Sequence, residues 1–526
     1  MSMPPPESIR VTYTTTTDDM SVFHHYFDEA LAKVRAEAGA TYPIYINGEA
    51  VTVDGPLITD TTPIDTSFVL GHFQGATPVE IDRAVAAARA ARRGWRRTSW
   101  QDRVAIMRKA ANIIRKRKFE IAAVMGYEVG KNRFEAIGDA EESADLIDYY
   151  CDQMDNSNGF IQEMDRITPV ETNTDVLRPY GVFACIAPFN FPAALGFGMS
   201  SAALMAGNTM VFKPATDTPL TGLKIYEVYR DAGVPGGVFN FVTGRGSQIG
   251  DALALHKHVD GVVFTGSKPV GMRIFHGLSQ DFVRPCLMEL GGKNPAIIMP
   301  SANLDAAAEG VWKSAWGLQN QKCSACSRVY LHRDIAEAFL EKLLTRTENI
   351  VIGDPTEEGV YLGPVINTRA VKTYEGAVAR ARAEGEILIG GKVLTEGALG
   401  KGNYVAPTIA KAPLDSTLFT EEFFVPFLAV GIVDSLDQAL AEANKVEFGL
   451  TAGIFSKDQN EIEEFFDEIE AGVTYVNKNT GATTGAWPGA QPFCGWKGSG
   501  GSGKGGCGPY YVAQFMREQC RTVIEE

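Results

Sequence analysis

From residue 181 onward, short apolar runs at 182–187, Thr209–Lys213, 238–242 and Gly261–Thr265 alternate with longer stretches of helical spacing. Runs that are apolar at nearly every position suit strands covered on both faces. Strands joined through helices lie parallel, because the crossover returns the chain to the same end of the sheet. The pattern therefore predicts a parallel α/β sheet. A second α/β stretch runs from 294 to about 477, with apolar runs at 296–299 and 426–433 and a helix around 335–344. Repeated units on both sides of Glu289 predict two domains with a cleft between them, and 526 residues suffice for two or three domains.

The flanking segments are read more locally. Residues 1–20 are rich in Pro and Thr and read as a loosely held arm. Residues 42–51 alternate like a strand, with a turn at Asn47-Gly48. Thr77-Pro78-Val79-Glu80 places a capping residue, Pro at the first helical position and Glu three beyond the cap. An Ala-rich helix and further helices follow, reaching Tyr149. Beyond Gly481 the chain turns to Gly, Thr, Ser and Pro, and long loops of this kind tend to be functional.

Composition excludes several function classes. A net charge of −15 argues against nucleic acid as a partner, which needs concentrated Lys and Arg. The one basic region, 92–118, has the spacing of solvated faces on two helices. No charge occurs between Arg178 and Lys213, yet Pro188, Asn190, Pro192, Ser200, Ser201 and Asn208 interrupt that stretch. A strand, a turn and a core helix fit it better than a membrane span. The start lacks the basic and apolar regions of a secretory signal. Eight scattered cysteines without a compact framework predict a reducing, cytoplasmic setting. Cys323 and Cys326 have zinc-ligand spacing but no second pair, so no metal is expected.

Three fragments carry chemistry. Phe189-Asn190-Phe191-Pro192 places an amide in a turn, Glu289-Leu290-Gly291-Gly292-Lys293 a carboxylate beside two glycines, and Gln321-Lys322-Cys323-Ser324 a thiol among small residues. An oxyanion donor, a base and a nucleophile are three parts of acyl chemistry. Each has a plainer reading: a turn residue, a surface carboxylate and an inert buried cysteine. A free thiol with a pKa near ~8.5 needs activation at neutral pH, for which Lys322 and a helix N-terminus are candidates. Gly266-Ser267 closes an apolar run and Lys268-Pro269-Val270-Gly271 opens a helix, whose unpaired N–H groups suit a pyrophosphate. The three-glycine dinucleotide fingerprint is absent. Lys213 directly follows an apolar strand, where it can meet a ribose hydroxyl or solvent.

Together, in this order and at this spacing, these fragments resemble the aldehyde dehydrogenase superfamily, over about residues 42–522. The resemblance implies an α/β fold with a Rossmann-type cofactor domain, an α/β catalytic domain and a small β oligomerisation element. It implies an arm at 1–20, a dinucleotide-binding domain at 21–150 and 176–290, a catalytic domain at 291–497, and an oligomerisation element at 151–175 and 498–526. The activity it implies is NAD(P)-dependent oxidation of an aldehyde to an acid. In that scheme Cys323 attacks, the Asn190 amide and the Cys323 N–H hold the oxyanion, and Glu289 activates the water that hydrolyses the thioester. Lys213 would bind the adenosine ribose, and Gly266, Ser267 and Gly271 the phosphates. Glu422 and Phe424, within Glu421-Glu422-Phe423-Phe424-Val425-Pro426, would meet the nicotinamide ribose and ring. Where the family often carries a Glu that selects NAD, this chain has Thr216, which leaves room for NADP.

Within the superfamily, Tyr127-Glu128-Val129-Gly130-Lys131-Asn132, residues 321–328 and residues 484–493 look like the Δ1-pyrroline-5-carboxylate (L-glutamate γ-semialdehyde) dehydrogenases of proline catabolism. That likeness implies a substrate carboxylate received by the Gly485 and Ala486 N–H groups and the Ser324 hydroxyl. Phe191 and Phe493 would flank its aliphatic part. The loop from Asn477 to Gln491 is longer than in that branch, and Gly481-Ala482 offers a competing register. Dehydrogenation of another semialdehyde or an aliphatic or aromatic aldehyde, a CoA-acylating reaction and a non-catalytic structural role are the alternatives. A homodimer or higher homo-oligomer is implied, through a hairpin at 159–175 and an edge strand at 519–524.

Overall fold

The computed structural model describes residues 4–11 and 20–525. Part of the N-terminal arm is held in place: Val11 is buried, and the Lys118 ammonium donates to the Ile9 carbonyl. Residues 1–3 and 12–19 of the arm lie outside the described residues.

Two seven-stranded sheets dominate the molecule. In the first, Cys286–Glu289, Gly261–Thr265, Val182–Ile186, Thr209–Lys213 and Phe239–Phe241 run parallel in that spatial order. The antiparallel pair Ile44–Ile46 and Glu49–Val51 completes it, turning at Asn47-Gly48 as expected. Val182–Ile186 is first in sequence among the parallel strands but lies inside the sheet. The strand order therefore reverses between it and Gly261–Thr265, and ligands of open α/β sheets bind outside the strand ends at such a point. The charge-free stretch forms the strand Val182–Ile186, the helix Pro192–Met205, buried at every residue but Leu195, and the strand Thr209–Lys213. Among the described residues, no helix is long and apolar enough to cross a membrane.

Helices Pro78–Arg97, Trp100–Val129 and Arg133–Asn156 pack beside this sheet. The first carries the expected capping box, in which Glu80 accepts from the Thr77 N–H at 2.9 Å. The basic region is only partly a solvated face. Arg103 is buried and donates to the Met205 carbonyl at 2.8 Å, and Lys118 pairs with Glu141 at 2.5 Å in the interior. Arg108, Arg115 and Arg117 are matched by carboxylates projecting from neighbouring helices.

The second sheet orders Glu386–Ile389, Thr408–Lys411, Phe427–Val433, Cys326–His332, Asn294–Ile298, Thr451–Phe455 and Val473–Val476, parallel except for its first pair. A three-stranded antiparallel sheet stands apart: Met516–Ile524 pairs along Glu171–Pro179, which pairs with Ile161–Met164. The helix Arg133–Asn156 runs past residue 151, the strand Glu171–Pro179 runs past residue 175, and residues 500–507 line the central cavity.

Candidate active site

The chain crosses from one sheet to the other at a single short link. Glu289 ends the edge strand of the first sheet, and Asn294 begins a central strand of the second. Cys323 lies in the turn ahead of Cys326–His332, which pairs with Asn294–Ile298. The link thus delivers Glu289 to the thiol: Cys323 Sγ donates to Glu289 Oε1 at 3.2 Å. Asn294 fixes the turn, its Nδ2 donating to the carbonyls of Cys323 at 2.7 Å and Ala325 at 2.9 Å. The glycines have a steric reason. A Cβ at Gly292 would lie 2.3 Å from the Cys323 carbonyl oxygen, and one at Gly291 would lie 2.3 Å from Glu422 Oε2. Just upstream, Leu318, Gln319 and Asn320 all have positive φ, at 48°, 56° and 59°. Such a run in non-glycine residues is costly and survives only where surroundings enforce it. Here Asn320 Nδ2 donates to the Ala315 and Cys326 carbonyls, tying both ends of the turn.

The electrostatics differ from the sequence expectation. Burial first, and then the neighbouring Glu289 carboxylate, push the Cys323 thiol well above its ordinary range. Lys322 does not counter this, as its ammonium pairs with Glu135 at 3.1 Å. Nor does Cys323 begin a helix; a turn and a strand follow it. Burial also raises the Glu289 carboxyl to about 7. A protonated thiol donating to a carboxyl poised near neutrality is a nucleophile with its base attached.

A cavity of about 560 Å³ opens beside this pair, lined by Phe191, Glu289, Cys323, Ser324, Gly485, Ala486 and Phe493 among others. The two Gly-Ala pairs differ in packing. Ala482 is buried, its N–H donating to the Gly310 carbonyl at 2.9 Å, whereas Gly485 and Ala486 line the cavity. Between them Thr483 Oγ1 donates to the Ser324 carbonyl at 2.7 Å, fastening the loop to the nucleophile turn. Asn190 does not line the cavity. It is buried in the turn between Val182–Ile186 and Pro192–Met205, where adjacent Phe189 meets Phe424 edge-on at 5.9 Å.

The sequence pattern of the aldehyde dehydrogenase family matches residues 52–520. The chain belongs to the aldehyde dehydrogenase family. It is an enzyme that oxidises aldehydes. The 1-pyrroline-5-carboxylate dehydrogenase 1 of Halalkalibacterium halodurans is 37% identical over 505 residues, 95% of this chain and 96% of that protein. The structure of a Thermus 1-pyrroline-5-carboxylate dehydrogenase with bound NAD superposes with a TM-score of 0.93 at 35% identity, over 100% of both chains. A betaine aldehyde dehydrogenase from Staphylococcus aureus in complex with NAD+ gives a TM-score of 0.89 at 26% identity, covering 95% of this chain and 98% of that one.

In this aldehyde dehydrogenase the remaining sequence-named residues sit at strand ends around the reversal point. Lys213 ends Thr209–Lys213; Gly266 and Ser267 follow Gly261–Thr265, two strand spacings or ~10 Å along the sheet. The buried Lys213 ammonium bonds the Pro214 carbonyl at 3.0 Å, and burial lowers its pKa to about 8. Ser267 caps the helix Lys268–Leu278 without a side-chain bond to it, so its hydroxyl and the first-turn N–H groups suit a phosphate. Gly271 sits within that helix, where a Cβ would lie 2.5 Å from Leu290, so its smallness serves packing against the link. Among the described residues Thr216 Oγ1 bonds only the Gly244 carbonyl, at 3.4 Å, and Asp217 faces Asn367. Glu422 accepts from the Gly292 N–H at 2.7 Å, and Phe424 holds a left-handed φ of 58°. A buried cation and an uncapped helix start at strand ends two spacings apart fit a dinucleotide.

Sequence reasoning missed a buried layer under the cavity. Lys131 pairs with Asp139 at 2.7 Å and lies 3.9 Å from the Phe191 ring centroid, while Asp139 also accepts from Ala194 N at the start of the buried helix. The signal available was Lys131 itself, inside a motif already noted for its resemblance. Lys478, in the Gly-rich loop, also lines the cavity, and its place in the sequence carries no comparable signal.

Proposed function

We propose that this chain oxidises L-glutamate γ-semialdehyde to L-glutamate, with NAD as acceptor and NADP tolerated. The observation that carries the reading is one cavity holding both the Cys323–Glu289 pair and a loop with free donors. The N–H groups of Gly485 and Ala486 make no hydrogen bond among the described residues, and the Ser324 side chain borders the same space. A γ-semialdehyde carries a carboxylate at the far end of a short aliphatic chain, which suits a cavity lined by both a thiol and free donors. The names of the similar proteins support the same substrate.

The chemistry divides among named groups. Glu289 takes the Cys323 proton as sulfur adds to the aldehyde carbon, forming a thiohemiacetal. The Asn190 amide, carried in the turn next to cavity-lining Phe191, and the Cys323 N–H are the donors proposed to stabilise its oxyanion. Lys213, Gly266, Ser267, Gly271, Glu422 and Phe424 would hold the dinucleotide, with Thr216 beside its ribose; when bound it accepts the hydride. Once Glu289 has released the sulfur's proton to solvent, it takes a proton from the water that attacks the Cys323 thioester and returns it to sulfur as the C–S bond breaks and the acid leaves. Phe191 and Phe493 pack against the aliphatic chain. The free state of all eight cysteines supports a cytoplasmic setting. We also propose a homodimer or higher oligomer, on the exposed edge of the three-stranded sheet.

The test is a comparison of catalytic efficiencies. An aldehyde without the carboxylate strands each donor at about 1–3 kcal/mol, so the semialdehyde should exceed hexanal by at least about tenfold. Ser324→Ala should narrow that gap while hexanal turnover continues. Equal efficiencies on the two aldehydes would show that the cavity serves another substrate.

A further inference from the structure

Lys478 follows the strand Val473–Val476 and folds back over the cavity-lining loop. Its Nζ donates to the Thr484 carbonyl at 2.6 Å and to the Gly485 carbonyl at 3.1 Å, and it lies 4.1 Å from the Tyr475 ring centroid. An ammonium has three N–H donors, and here two carbonyls and a ring face surround it. Its charge is directed at the loop, with no donor left over for a ligand.

The two carbonyls belong to successive peptide groups. In a trans peptide the C=O and the N–H point in opposite directions across the plane, and no peptide among the described residues is cis. The partner of the Thr484 carbonyl in its plane is the Gly485 N–H; the partner of the Gly485 carbonyl is the Ala486 N–H. These are the two N–H groups that make no hydrogen bond among the described residues. Drawing both carbonyls toward one ammonium therefore turns both N–H groups away from it together. Such convergence requires an unusual backbone at the shared residue. Gly485 supplies it with φ of 94°, and a Cβ there would lie 2.8 Å from Lys478 Nζ.

We infer that Lys478 is a positioning residue for specificity: by holding the Thr484 and Gly485 carbonyls it aims the Gly485 and Ala486 N–H groups at the substrate carboxylate. The inference rests on the carboxylate-anchor reading of the proposed function. It adds that the anchor is preset by a cation bonded to the carbonyls of the same two peptides. Charge-assisted bonds are roughly twice as strong as neutral ones, so an apolar replacement releases the loop.

The experiment measures KM and kcat for L-glutamate γ-semialdehyde and for hexanal in the wild type, Lys478→Met, Lys478→Arg and Ser324→Ala. Lys478→Met should cut the preference for the semialdehyde by about tenfold, through its KM, with kcat moving less than about twofold. Lys478→Arg, which can still donate to both carbonyls, should recover most of the preference. Should the Met variant not fold, Lys478→Gln gives the same comparison at similar length without the charge. An unchanged preference in the uncharged variants, or an equal loss on both aldehydes, overturns the positioning role. If Ser324→Ala narrows the preference and Lys478→Met does not, only that role falls. If the wild type shows no preference, the anchor reading falls and this inference falls with it.

Discussion

Cys323 and Glu289 set each other's protonation. The buried thiol is held in its neutral form, and the Glu289 carboxyl titrates near 7, so the pair gains a working base as pH rises. Below that value Glu289 is protonated and can take a proton neither from sulfur nor from water; above it both transfers are open. Turnover should therefore climb as pH rises through about 7, and a pH–rate profile of the Glu289→Gln variant should lack that limb. A limb that persists in the variant would assign it to another group, Glu422 being the nearest candidate since burial also raises it to about 7. Cys323→Ala should abolish turnover and leave NAD affinity, by fluorescence titration, within about threefold, because the thiol makes the covalent bond and does not hold the dinucleotide. The identities of these residues were legible because each sits in a short string whose chemistry is local. The activation of the thiol was not. Lys322 is adjacent in sequence but is pulled toward Glu135, and the burial that raises Cys323 comes from segments far along the chain.

Among elements, the link Leu290–Lys293 and the loop 477–491 do most to build the site. Gly292 allows the link to pass against the nucleophile turn, so Gly292→Ala must displace one of them. Overpacking of this kind costs about 1–3 kcal/mol. We expect thermal unfolding to shift down by several degrees (~1–3 kcal/mol at these sizes) and kcat/KM to fall by at least about tenfold. Activity within twofold of wild type would mean that the turn relaxes without losing the Cys323–Glu289 contact. The parallel strands and the capping box were readable, since apolar runs and the Thr77–Glu80 pair carry their own structural reasons. The loop was harder. Gly481-Ala482 and Gly485-Ala486 are indistinguishable as strings, and only the packing of Ala482 near Gly310 and Gly453 decides which pair meets the cavity.

At the scale of the whole molecule, the site exists because one sheet delivers the base and the other the nucleophile. The division around Glu289 was legible in the alternation of strands and helices; the limits of the small β sheet were not, because its strands come from distant parts of the chain. That sheet leaves Ile161, Met164, Val523 and Ile524 exposed, and an open apolar strand edge is normally covered. Light scattering at micromolar concentration should give a dimer or larger species, and a monomer would contradict the proposed assembly. The central claim, a Cys323 thioester hydrolysed by Glu289, is tested most directly by rapid mixing of the Glu289→Gln variant with NAD and L-glutamate γ-semialdehyde. The account predicts that NADH formation is slowed, since sulfur also loses its base, and then stalls near one NADH per active site, with the acyl group recovered on the Cys323 peptide by mass spectrometry. Linear NADH formation at the wild-type rate, with no acyl group on Cys323, would contradict it.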